Sequence, residues 1–105
     1  MVEQVPENLE STGPQLILIV DDELRMRRFI RMNMELEGYQ VIEAENGIHA
    51  LDQIRQFNPD LVVMDVMMPE MDGFETLKLL REISTVPVIL LTVRDEEEDI
   101  TRGLA

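Results

Sequence analysis

At 105 residues, 45% of them hydrophobic, the chain suffices for one small core. A formal net charge of -13 speaks against nucleic acid or an anionic membrane as a direct partner, and suits a cation or a basic protein surface. With no cysteine there is neither a disulfide framework nor a thiolate metal site. No secretory signal or bilayer-length apolar run is visible, so a soluble, cytoplasmic protein is expected.

Residues 1–15 carry Pro6, Gly13 and Pro14 among Glu3, Glu7 and Glu10, without hydrophobic period, and are expected to form a flexible acidic leader. Residues 16–20 are continuously apolar and rich in β-branched side chains, the pattern of a buried strand. The run ends in Asp21-Asp22-Glu23, where Asp22 is expected to cap the next helix and Glu23 to sit in its first turn. That helix covers residues 24–37. Met26, Phe29, Ile30, Met34 and Leu36 approximate its inward face, Arg25, Arg27, Arg28 and Arg31 fall largely on the other, and Gly38 stops it. A second strand at 39–44 centres on Val41 and Ile42. A helix opened by Asn46 then runs to Phe57, with Gly47, Ala50, Leu51 and Ile54 facing inward, and Asn58-Pro59 ends it.

The third strand, Leu61-Val62-Val63-Met64-Asp65, finishes on a carboxylate and leads into a loop holding Pro69 and Gly73. A helix at 74–83 should turn Phe74, Leu77 and either Leu80 or Leu79 inward. After a turn at 84–87, residues 88–92 read as a fourth strand ending on the hydroxyl of Thr92, and a fourth helix begins at Glu96. This alternation predicts a parallel sheet with helices on both faces.

Function in open α/β sheets collects at the carboxyl ends of the strands, which here offer Asp21, Asp22, Asp65 and Thr92. With strand three between strands one and four, Asp65 has the acidic pair on one side and the hydroxyl on the other. Carboxylates about 4 Å apart repel by roughly 4 kcal/mol at an effective dielectric near 20. A divalent cation relieves that repulsion, and hard oxygen ligands with room for a phosphate suit Mg²⁺. Asp65 is then placed to attack phosphorus and form an aspartyl-phosphate, with Thr92 donating to a phosphoryl oxygen. Taken singly, Asp22 reads as a helix cap and Thr92 as a locally satisfied hydroxyl. The eight methionines read mostly as core filling, with Met68 and Met71 packing the loop, and His49 and Lys78 read as surface residues. The joint placement at strand ends favours a site.

Leu18-Ile19-Val20-Asp21-Asp22-Glu23, Asp65-Val66-Met67-Met68-Pro69-Glu70-Met71-Asp72-Gly73 and Pro87-Val88-Ile89-Leu90-Leu91-Thr92 together resemble the receiver domain of two-component response regulators. The resemblance covers residues 16–105, and the second segment is the specific one. It implies a flavodoxin-like open parallel sheet, in the order 2-1-3-4 over these residues. It also implies Asp65 as phosphoacceptor, Asp22 as a direct Mg²⁺ ligand and Asp21 acting on the metal mainly through water. Met67 would contribute its backbone carbonyl, and Thr92 would be the switch hydroxyl. The phosphoryl donor would be a phosphohistidine on a sensor histidine kinase. Such domains promote their own phosphotransfer and dephosphorylation rather than turning over an external substrate. The run 91–99 resembles the subfamily with a winged-helix DNA-binding output, hence transcription regulation.

The family's fifth strand, its late lysine before a proline and its fifth helix have no counterpart in these residues, and no lysine follows Lys78. The expectation is therefore a C-terminally incomplete receiver that binds Mg²⁺ but is phosphorylated slowly. Its fourth strand would be an exposed apolar edge that self-associates. Three other readings compete. Dehalogenase-like phosphatases carry Asp-x-Asp on one strand, whereas Asp21 and Asp22 are adjacent. A nucleotidase would need a Gly-x-x-x-x-Gly-Lys-Ser/Thr loop, which is lacking. The third is a phosphorylation-impaired module that only binds a partner.

Overall fold

The computed structural model describes residues 15–68 and 71–91. Residues 1–14 of the leader, Pro69, Thr92 and the expected fourth helix lie outside the described residues; Gln15, the last residue of the expected leader, is buried, and its carbonyl accepts from Gln40 N at 2.8 Å. In chain order the elements are β1 (Leu16–Val20), α1 (Leu24–Leu36), β2 (Gln40–Ala44), α2 (Gly47–Phe57), β3 (Leu61–Asp65), α3 (Gly73–Leu80) and β4 (Val88–Leu91). The four strands form one parallel sheet, as their alternation with helices predicts, in the order β2-β1-β3-β4 that the resemblance implies. β1 and β3 are the inner strands, buried on both faces, which is why their sequences are continuously apolar instead of alternating. Among the described residues, β4 pairs with β3 alone.

Successive strand residues point to opposite faces and feed two cores. On one face Leu18, Val20, Val62 and Met64 pack with Ala50, Leu51 and Ile54 of α2 and Leu80 of α3. On the other, Ile17, Ile19, Val41 and Val63 meet Ile30 and Met34 of α1. The inward face expected for α2 is the one observed: Gly47, Ala50, Leu51 and Ile54 are its buried residues. Its ends also match. Asn46 Oδ1 accepts a 2.7 Å hydrogen bond from His49 N at the start, and Asn58 closes the helix at φ 49°. Gly38, at φ 96°, supplies the left-handed turn after α1.

Two helix faces depart from expectation. α1 packs against β1 and β2 through a narrow stripe and buries no residue fully; Phe29 is 59% and Leu36 78% exposed. Phe29 precedes Ile30 by one residue, which turns it roughly 100° away from the contact line. In α3 the inward residues are Gly73, Thr76 and Leu80, an i, i+3, i+7 stripe, with Leu77 partly buried against the core. Phe74 is 60% exposed, and Leu79 also faces solvent. α3 ends at Leu80 and residues 81–83 form a turn, three residues short of the expected helix end. No described helix is long and apolar enough to cross a membrane.

These burials predict contrasting costs. Leu18→Ala, at a fully buried position, should lower the unfolding free energy by about 3 kcal/mol. Leu36→Ala should change it by less than about 0.5 kcal/mol. Urea denaturation followed by circular dichroism measures both.

Candidate functional site

β1 and β3 run parallel with Val20 paired to Met64, so the residues that follow, Asp21 and Asp65, leave the sheet side by side. Both are 2% exposed, while Asp22 is open to solvent. One carboxylate oxygen from each of the three lies within 4.8 Å of the others. The sequence-predicted acidic trio is therefore brought together.

Backbone contacts hold the two buried members. Asp21 N donates to Ala44 O at 3.1 Å, extending the β1–β2 ladder by one residue, and Val66 N donates to Leu91 O at 3.0 Å beyond the end of β3. Asp21 Oδ1 accepts from Glu23 N at 2.8 Å, and Asp65 Oδ1 accepts from Met67 N at 3.0 Å. Each buried aspartate thus turns the chain that follows it through an N–H two residues on. This corrects the expected cap of α1. Glu23, not Asp22, occupies the N-cap position, without a side-chain cap bond, and the aspartate that organises the turn is Asp21.

Behind Asp65 the fit of α3 is tight. Gly73 N donates to Val66 O at 2.9 Å, and a Cβ on Gly73 would come within 2.8 Å of both Asp65 O and Val66 Cα. Only glycine lets the helix start against the strand end that carries the carboxylate. Asp72 caps that helix, its Oδ1 accepting from Glu75 N at 2.8 Å. Met68 is buried in the core, and Met71 sits with its sulfur against Gly47. Met67, whose N–H meets Asp65, adjoins the trio. Thr92 falls outside the described residues; its predecessor in sequence, Leu91, is the register partner of Asp65.

At this separation each carboxylate pair repels by about 3–4 kcal/mol at an effective dielectric near 20. Three carboxylates offer hard oxygen donors of the kind Mg²⁺ prefers, and an exposed Asp22 leaves the group open on one side. The residues present fit that ion.

Two residues beside the site escaped the sequence reading. Arg27, assigned to the solvent face of α1, has a side chain only 13% exposed. Its Nη1 donates to Asp21 O at 2.8 Å and its Nε to Glu43 Oε1 at 2.7 Å. Arg31 Nη1 reaches Glu43 Oε2 at 2.7 Å, and Arg31 Nε reaches Glu35 Oε2 at 3.0 Å. Burial pushes the Glu43 carboxyl up; the hydrogen bonds from Arg31 and Arg27 outweigh it and hold the group below its ordinary range. The i, i+4 spacing of the two arginines is legible in the sequence; their shared partner on β2 is not.

Comparison with known proteins agrees with this geometry. The model of the response regulator receiver domain matches residues 17–105. The transcriptional regulatory protein ResD of Bacillus subtilis (strain 168) is 42% identical over 95 residues, covering 90% of this chain and 40% of ResD. The alkaline phosphatase synthesis transcriptional regulatory protein PhoP of the same organism is 44% identical over 89 residues, covering 84% of this chain and 37% of PhoP. The chain thus spans between 37% and 40% of the length of these two curated relatives. Among solved structures, the N-terminal domain of a response regulator receiver protein from Methanoculleus marisnigri JR1 superposes with a TM-score of 0.73 at 35% identity, over 75% of this chain and 67% of that one. The receiver domain of the Francisella response regulator 1452 gives 0.71 at 36% identity, over 86% and 75%.

The Glu43 interactions carry a pH signature. A carboxyl whose folded pKa lies below its unfolded value stabilises the fold above the unfolded value, and that contribution is lost as pH falls through the folded one. Glu43→Gln should therefore be less stable than the parent at pH 7. The gap should close as pH drops below the unfolded glutamate value of about 4.3. Urea titrations of the two proteins at a series of pH values test this.

Proposed function

Since the chain belongs to the response regulator receiver domain family, we propose that its acidic site accepts a phosphoryl group onto Asp65 from a phosphohistidine of a sensor histidine kinase. The observation that carries this reading is the gathering of Asp21, Asp22 and Asp65 within 4.8 Å at the ends of adjacent parallel strands. A module that only bound a partner would have no use for carboxylates held against their own repulsion, so the clustering favours phosphoacceptance over that alternative.

In the proposed reaction a carboxylate oxygen of Asp65 attacks phosphorus. An O–P bond forms as the N–P bond of the phosphohistidine breaks, and the bonding pair returns to the imidazole nitrogen. The hydrogen bond from Met67 N fixes the rotation of the Asp65 carboxylate, so the nucleophile is oriented before the donor arrives. Asp21, Asp22 and Asp65 are the proposed carboxylate ligands of Mg²⁺, with the Met67 backbone carbonyl beside them. When bound, the cation supplies charge neutralisation for the phosphoryl oxygens. Thr92 is proposed to donate its hydroxyl to a phosphoryl oxygen; it is next in sequence to Leu91, the register partner of Asp65, which supports the assignment. The receiver unit is taken as residues 16–105, behind the acidic leader of residues 1–15, and a cytoplasmic setting with a transcriptional output goes with it. That ResD and PhoP are transcriptional regulatory proteins supports that output.

Incubation with radiolabelled acetyl phosphate and Mg²⁺ tests the proposal directly. The parent chain should take up hydroxylamine-labile label, Asp65→Asn should take up none, and chelation of the metal should abolish uptake. Asp22→Asn should reduce the initial rate by about tenfold or more, the scale on which residues around a metal affect its binding. Label persisting in Asp65→Asn would place the acceptor elsewhere, and a parent that takes up none would end the proposal.

A further inference from the structure

Arg27 makes a contact that docking of α1 does not require: one arm of its guanidinium holds the backbone carbonyl of Asp21. We propose that Arg27 is a positioning residue for the metal site, acting through the Asp21 peptide; this rests on the reading of Asp21, Asp22 and Asp65 as the Mg²⁺ ligands.

The geometry is a closed ring. Asp21 N donates to Ala44 O at 3.1 Å, so one side of the residue is tied to the end of β2. Asp21 O accepts from Arg27 Nη1 at 2.8 Å, and Arg27 Nε donates at 2.7 Å to Glu43, the residue before Ala44. Both sides of Asp21 are thereby fastened to the same two residues of β2. Glu43 is itself held in place, its carbonyl accepting from Gln53 Nε2 of α2 at 3.0 Å and its second carboxylate oxygen taking Arg31. Asp21 and Asp22 leave the chain at this fastened point, one carboxylate inward and one outward. A peptide free to rotate there would move both carboxylates relative to Asp65.

Arg27 suits this task where lysine does not. The planar fork delivers two N–H groups in a fixed relation, one to a carbonyl and one to a carboxylate, whereas an ammonium is a single point on a flexible stem. Arg31 provides an internal comparison. It binds the same Glu43 and also pins α1, but its recorded contacts are Glu43 and Glu35, not Asp21.

The test is the dissociation constant for Mg²⁺ itself, measured by isothermal titration calorimetry on the chain and its variants, with the melting temperature of each metal-free protein recorded alongside. Arg27→Ala and Arg27→Lys should each weaken Mg²⁺ binding by about tenfold, as loss of an outer partner of a metal ligand typically does. Arg31→Ala should stay within twofold of the parent, even where its melting temperature falls. The sign is informative, because removing a positive charge beside three carboxylates would by itself tighten cation binding. Should Arg27→Ala fail to fold, Arg27→Lys, which keeps the charge and the stem, carries the comparison. Unchanged or tighter binding in Arg27→Ala, full affinity in Arg27→Lys, or equal losses in Arg27→Ala and Arg31→Ala would each overturn the inference. Asp22→Asn separates the two levels. If it weakens Mg²⁺ binding while the Arg27 variants do not, only the positioning role falls; if it leaves binding unchanged, the metal-site reading fails and the role of Arg27 with it.

Discussion

The carboxylates of Asp21, Asp22 and Asp65 are held within 4.8 Å against a mutual repulsion of several kcal/mol, and the pairing of β1 with β3 is what holds them. Those two strands are buried on both faces. Leu18, Val20, Val62 and Met64 lock them to α2 and α3, and Ile17, Ile19 and Val63 face the α1 side. Each fully buried side chain of this kind contributes about 1.5–3 kcal/mol. Apolar burial a few residues upstream thus offsets the strain of an electrostatic arrangement at the strand ends. Because the strands are parallel and neighbouring, both deliver their last residues to the same edge. An antiparallel pairing would have sent Asp21 and Asp65 to opposite ends of the sheet.

Close backbone approach completes the site where side chains would be too large. Gly73 lets α3 begin against the carbonyl of Asp65. Gly47 does the same between helices, since a Cβ there would fall on Thr76 Oγ1. That hydroxyl donates to Asp72 O at 2.9 Å, and Asp72 caps α3. The start of α2 is therefore packed against the turn that carries the chain away from Asp65. Such contacts make the position of the Asp65 backbone depend on helix packing as well as on the sheet.

Much of this was legible because it is written in local patterns. Unbroken apolar runs ending in acids named β1 and β3, Asn46 and Asn58 marked both ends of α2, and the small residues Gly47 and Ala50 marked its buried face. The resemblance of the Asp65–Gly73 segment to receiver domains led to the same fold and family as the comparisons. What stayed hidden depends on contacts between distant segments. Helical periodicity alone gave Phe29, Leu36 and Phe74 an inward face, but the width of the stripe that a helix buries is set by the sheet beneath it. The cap of α1 went to Asp22 because an acid before a helix is an N-cap signal; the buried neighbour Asp21 took the role of holding the turn. Arg27 looked like one of four solvent-facing arginines because its partner lies sixteen residues away, on β2.

The three acids are unequal in exposure and in how firmly the backbone holds them. Asp21 and Asp65 are buried and each is engaged by a backbone N–H two residues downstream, so their carboxylates belong to the rigid part of the fold. Asp22 is exposed at the entry to α1, and Met67 is exposed in the loop after β3. Asp22 and Met67 thus stand, open to solvent, on the segments that follow the two central strands, over a floor of buried carboxylates fixed by the sheet.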